Sequence, residues 1–154
     1  MIRMTKQTDY GIVLLTRMAG MPEQQFNATE LAAGSRLPQP TVSKILKILA
    51  RAGLLDSHRG VKGGYTLARD PEAITVTEVI GALEGPIGIT ECIDDTPGEC
   101  SHEAGCPVRG NWHRINEAIR QALDGINLAE MALPQAPPLV SLGSVPAAHN
   151  AEIG

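Results

Sequence analysis

The stretch QPTVSKILKILARAG, residues 39–53, leaves this chain the least freedom. Val42, Ile45, Leu46 and Leu49 recur at i, i+3, i+4 and i+7, the spacing that gathers apolar side chains on one face of a helix. Pro40 suits the first turn, where a missing N–H costs nothing, and Gly53 supplies a stop. On the opposite side lie Thr41, Lys44, Lys47 and Arg51, polar and mostly basic. Such a helix must lay four aliphatic side chains on a core while holding three cations in water.

The flanking segments supply partners for that apolar face. A helix is expected over about residues 8–19, with Ile12, Leu15, Met18 and Ala19 on one face. Asn27, with Glu30 three residues on, has the form of a capping box opening a short helix that Gly34 and Ser35 end. After Gly53, Leu54-Leu55, DSHRGVKGG and YTLA read as two short strands joined by a glycine-rich loop. Thr75 and Glu78 form a second capping box, for a helix through Val76, Val79, Ile80 and Leu83 that ends near Gly85. Two short helices, a tight turn and a basic third helix followed by a hairpin make a winged helix-turn-helix over residues 1–84.

Residues 85–107 are expected to form a loop, because Pro86, Gly88, Pro97, Gly98, Gly105 and Pro107 disfavour regular structure. All three cysteines, Cys92, Cys100 and Cys106, lie in it. Beyond it, Val108, Trp112, Ile115, Ile119, Ala122 and Ile126 alternate spacings of four and three, a coiled-coil-like seam. Residues 108–132 are therefore expected to be one long dimerisation helix. Residues 133–154, with Pro134, Pro137, Pro138 and Pro146, few charges and no periodicity, are expected to be a disordered tail. The expected fold class is mainly α: a winged helix-turn-helix with a small β-hairpin wing, a cysteine loop and a long dimerisation helix.

Charge divides the chain. Residues 1–70 hold ten Lys or Arg against five acids, whereas the remainder holds three against twelve. A basic first half on an acidic protein predicts a polyanion partner for that half. An isolated basic stripe is ordinarily a solvated face, but here it coincides with a helix pair and a wing. An α-helix fits the major groove and its first turns reach base edges, so Gln39, Thr41, Ser43 and Lys44 are expected at bases. Lys47 and Arg51 are expected at phosphates, with Arg59 and Lys62 on the wing, where Gly60, Gly63 and Gly64 permit close approach.

With aromatics at 3% the core must be aliphatic and thin, so a dimer interface or a bound metal would add needed stability. No apolar run follows a basic start or approaches membrane-spanning length, and a cytoplasmic chain with no membrane partner is expected. In that compartment three close thiols point to metal or redox chemistry rather than a disulfide. The spacing C-x7-C-x5-C is not a ferredoxin run and does not by itself choose iron over zinc. It lacks the C-x-x-C of a dithiol oxidoreductase, and free structural or redox-sensing thiols remain the alternative. A catalytic pair of a cysteine with His102 or His113 would need an oxyanion site and a less acidic loop. No enzyme and no small-molecule substrate are expected, and a mere scaffold would not need the basic helix and wing.

The segments MTKQTDYGIVLL, TVSKILKILARAGLL, RGVKGGYTLAR and ITVTEVIGALEG, in that order, resemble the Rrf-type winged helix-turn-helix regulators. This bacterial family includes the iron–sulfur regulators IscR and NsrR. The resemblance spans about residues 2–130 and is greatest to members that regulate the SUF iron–sulfur assembly operon. It implies a homodimer on operator DNA, with Cys92, Cys100 and Cys106 holding an iron–sulfur cluster. Two departures stand out: the first gap is seven residues where five are usual, and Arg109 stands where one branch has a histidine ligand.

Asp9, His102, His113 or an exogenous ligand such as water are left as the fourth ligand. Asp9 aligns with an aspartate that, in the nitric-oxide-sensing branch, ligates a [4Fe–4S] cluster from the partner subunit. The resemblance therefore favours Asp9 and [4Fe–4S] over [2Fe–2S], although a carboxylate in a helix's first turn is also stabilised by the dipole alone. The implied function is repression of iron–sulfur assembly genes under cluster control. Sensing of nitric oxide, iron or redox state, or a cluster-free thiol switch, are the alternatives.

Overall fold

The computed structural model describes residues 3–90 and 106–134. In chain order these form α1 (Lys6–Ala19), α2 (Ala28–Ser35), α3 (Gln39–Arg51), β1 (Leu55–His58) and β2 (Gly64–Leu67). A 3-10 turn (Pro71–Ala73), α4 (Val76–Glu84), α5 (Arg109–Asp124) and α6 (Leu128–Ala132) follow. The architecture is a mainly helical winged helix-turn-helix with one antiparallel hairpin, as the sequence pattern predicts.

All four residues of the α3 stripe, Val42, Ile45, Leu46 and Leu49, are fully buried. They meet Leu14, Leu15 and Met18 of α1, Leu31 of α2 and Val79 of α4 in one aliphatic core. Each fully buried side chain of this kind contributes about 1.5–3 kcal/mol, so α3 is held to the body by several such increments.

Helix starts follow caps rather than apolar spacing. α1 begins at Lys6, two residues before the expected start, because the Thr5 hydroxyl accepts a hydrogen bond from the Thr8 N–H at 3.2 Å. Leu15, Met18 and Ala19 of the expected face are buried, joined by Thr8, Gly11 and Leu14, and Ile12 alone of the expected four is only half-buried. Both expected capping boxes form, Asn27 with Glu30 and Thr75 with Glu78.

α2 ends at Ser35, as the Gly34-Ser35 pair predicts, but the left-handed turn falls on the next residue rather than on the glycine. Gly34 is helical, and the chain turns at Arg36 in the left-handed region, φ 55°. The turn closes with the Leu37 N–H donating to the Ala32 carbonyl at 3.0 Å. Gly34 serves Arg17 instead, whose guanidinium lies where a Cβ would be and donates to the Gly34 carbonyl at 3.2 Å.

The wing is β1 and β2 in the register Leu55 to Leu67 and His58 to Gly64. Phe26, just before α2, adds a bridge to Tyr65, with N–H to carbonyl distances of 3.0 and 2.7 Å. The backbone therefore passes so close that a Cβ on Gly64 would meet the Phe26 carbonyl oxygen at 2.5 Å.

Residues 108–132 hold two helices where the apolar seam suggested one. α5 ends at Asp124, and Asn127 caps α6 through a third capping box with Glu130. Ile126 leaves the seam, and its carbonyl accepts from the Val76 N–H at 2.9 Å. Leu128 is fully buried in the core shared by α1 and α3. A long-range pairing of Thr75 with Asn127 thus overrides a local helical pattern. Residues 135–154, most of the expected tail, lie outside the described residues.

Candidate nucleic-acid interface and cysteine site

Burying one face of α3 turns the other outward. Ser43, Lys44, Lys47 and Arg51 line a shallow groove together with Pro40 and Ile48. Lys44, Lys47 and Arg51 are exposed, Ser43 is half-buried, and α3 contains no acidic residue. Thr41 is half-buried and is not part of that groove's lining. Gln39, the first residue of α3, is exposed, and its side-chain amide donates to the Thr29 hydroxyl of α2 at 2.9 Å. That bond ties the entry of α3 to α2 and leaves the second amide N–H and the amide oxygen of Gln39 for other partners.

Arg59 and Lys62 are exposed at the wing tip, with Gly60 at φ 106° between them. The Gln25 side-chain amide donates to the Lys62 carbonyl, tying the tip to the segment that leads into α2. Gln25 and Thr29 thus support the expected contact residues. No sequence signal marked them, because each acts on a residue at least ten positions away.

The expected cluster ligands are only partly described. Cys92, Cys100 and the alternative His102 lie outside the described residues. Cys106 is a half-buried free thiol three residues before α5. Asp9 is exposed in the first turn of α1. Among the described residues no three His, Cys, Asp or Glu side chains converge.

The end of α4 is joined to the start of α1. Glu84 ends α4, and its carboxylate accepts from the Thr5 N–H at 2.7 Å. The Thr8 hydroxyl, first in effect, and that Thr5 amide hold the Glu84 carboxyl below its usual range. The Gln7 amide donates to the Leu83 carbonyl at 3.3 Å, and Gly11 leaves room for the Leu83 side chain. Asp9 is therefore borne on a helix end that is anchored where residues 85–107 begin.

His113 lines a different feature, a cleft of about 410 Å³ between α4 and α5 that Thr77, Asn116, Glu117 and Arg120 also line. Asn116 is buried and donates to the Ile87 carbonyl at 2.9 Å. Its seam neighbours Val108, Trp112 and Ile115 face solvent. No helix among the described residues is long and apolar enough to cross a membrane.

The family model Rrf2, described as an iron-dependent transcriptional regulator, matches residues 4–133. The chain belongs to the Rrf2 family. It is similar to the HTH-type transcriptional regulator CymR of Bacillus subtilis, 31% identical over 80% of this chain and 84% of that one. A solved structure of that global cysteine regulator superposes with a TM-score of 0.67, covering 86% of this chain and 97% of the other at 29% identity. The structure of IscR from T. potens gives 0.63 at 27% identity, over 84% and 85% of the two chains. NsrR of Shouchella clausii is 26% identical over 86% of this chain and 89% of its own. As an Rrf2 regulator the chain is a DNA-binding transcription factor, in a family whose members are usually dimeric, and these relatives are regulators rather than enzymes.

Proposed function

We propose that this Rrf2 protein is a homodimeric repressor of iron–sulfur assembly genes whose operator affinity is set by an iron–sulfur cluster on Cys92, Cys100 and Cys106. The observation that carries the reading is the anchoring of α1 to the end of α4, which ties the cysteine loop's root to the body bearing α3. In it, Gln39, Thr41, Ser43 and Lys44 meet bases, while Lys47, Arg51, Arg59 and Lys62 meet the backbone. The donor set suits such a cluster, since thiolates are its ordinary ligands, and a carboxylate oxygen would take the position that a fourth cysteine ordinarily fills. Asp9 of the partner subunit is the fourth ligand, with [4Fe–4S] the favoured form. When bound, the cluster supplies a redox-labile link between one protomer's loop and the other's first helix.

The chain's own residues then carry the signal. Thr5, Thr8 and Gln7 hold α1 to Glu84 and Leu83, so a change at the loop's root reaches α1 and, through Leu14, Leu15 and Met18, the buried face of α3. Operator affinity depends on how the two recognition helices of a dimer are spaced. Protein purified without air should be brown and absorb in the visible. Its affinity for the promoter DNA it recognises should change on cluster removal, and Asp9→Ala should alter both spectrum and affinity. Unchanged affinity would defeat cluster control while leaving DNA binding in place.

A second reading, a cluster-free thiol switch on the same three cysteines, draws support from the likeness to the cysteine regulator CymR. Anaerobic protein that is colourless, yet changes DNA affinity on thiol oxidation, would select it.

A further inference from the structure

We propose that Arg36 is a DNA-backbone contact, placed by the turn of the helix-turn-helix to grip a phosphate beside the start of α3. Arg36 is the only non-glycine residue with positive φ among the described residues. A residue with a Cβ is disfavoured in that conformation, and helix ends of this kind ordinarily use glycine or asparagine. The turn itself asks nothing of an arginine side chain. Its closing bonds are backbone ones, from the Arg36 N–H to the Ala32 and Ala33 carbonyls and from the Leu37 N–H to the Ala32 carbonyl.

Nor does any described residue use the charge. The basic partner at the α2 terminus is already Arg17, bonded to the Gly34 carbonyl. The Arg36 guanidinium is exposed and makes no hydrogen bond or ion pair among the described residues. A strained backbone carrying an unused cation is the mark of a residue kept for a ligand. Its position says which ligand. Arg36 precedes Gln39, the first residue of α3, by three residues, a chain reach of at most about 10 Å. An α-helix whose opening turn enters the major groove has phosphates at its flanks, and a planar guanidinium suits them.

The proposal rests on DNA binding but not on cluster control. It is tested by fluorescence anisotropy on a labelled mixed-sequence duplex of about three helical turns (~10.5 base pairs each), titrated across salt. A phosphate contact is independent of sequence, so no operator is needed. Arg36→Gly should leave the melting temperature unchanged or raise it, because it relieves the left-handed strain. It should weaken binding several-fold at low salt and lower the slope of log K against log salt by ~0.9 per engaged protomer. Arg36→Lys should keep most of that slope. Binding by the unmodified protein with a measurable slope that Arg36→Gly leaves intact would overturn the assignment and leave DNA binding standing. Weaker binding with an unchanged slope would also overturn it, since the turn's geometry and not the charge would then be responsible.

Discussion

The winged-helix body and α5 use apolar residues in opposite ways. In the body, Leu14, Leu15, Leu31, Val42, Ile45, Leu46, Leu49, Ile74 and Val79 have no exposed surface. At the start of α5 the apolar seam faces outward, with Val108 of its cap and Trp112 and Ile115 at 44, 37 and 45% exposure and Ile119 half-buried, while the one buried residue of the helix is the polar Asn116. A helix that lies on its own body through a polar face, with its apolar seam in solvent, satisfies the hydrophobic effect only against another surface. The body contains the information for its own fold. Under the proposed dimer a second copy of the chain would cover the arm, and members of this family are usually dimeric.

The sharpest break of this contrast is a core truncation. Leu46→Ala should cost about 2–5 kcal/mol in denaturant unfolding, since it leaves a cavity beneath α3. DNA binding should weaken with it, because that surface supports the basic face. The equivalent change on the arm should act on association instead. Ile115→Asp, at an exposed position, should leave the body's helical signal intact and weaken self-association by about 2–4 kcal/mol, as a hot-spot loss does. Sedimentation would show it as a shift toward monomer. An Ile115→Asp protein as unstable as Leu46→Ala would erase the distinction between the two regions.

Smaller changes sharpen the boundary between body and arm. Thr75→Ala removes the cap of α4 and should cost about 1 kcal/mol in thermal unfolding. Glu84 links α4 to α1, and its sign with pH is definite. Its carboxyl is held below the ordinary value of 4.5, so the stabilisation is complete above that value and fades as pH falls through the lowered folded pKa. Glu84→Gln should therefore flatten the acid limb of the stability curve, and an unaltered limb would refute the link. The smallest effect belongs to the exposed pair of Arg69 and Glu78, 2.6 Å apart. Arg69→Ala should cost no more than about 0.2–1 kcal/mol and diminish in salt.

The α3 stripe, both expected capping boxes and the glycine-rich wing loop were legible because their causes are local. A cap bonds three residues away, and a helical face repeats every three or four. The same logic found the end of α2 at Ser35 but not that the left-handed turn falls on Arg36, nor that the bare backbone of Gly34 makes room for Arg17. It also ran residues 108–132 together, because the apolar spacing continues past the point where Thr75 captures Asn127. For the candidate site, the basic residues of α3 and the wing were legible as a charged face. Gln25 beneath the wing tip and Thr29 beneath Gln39 were not.

By itself the sequence determined where α2 and α4 begin, which face of α3 is buried, and that a cationic face must therefore point outward. Hydrogen-bonding range and helical periodicity are properties of a few consecutive residues. Tertiary structure alone decided that α1 is tied to the end of α4 by residues 79 positions apart. It alone set the apolar seam of α5 outward, returned Leu128 to the core and forced Arg36 into a left-handed turn. Those outcomes depend on which surfaces meet once distant segments compete for the same core, and no local spacing encodes that competition.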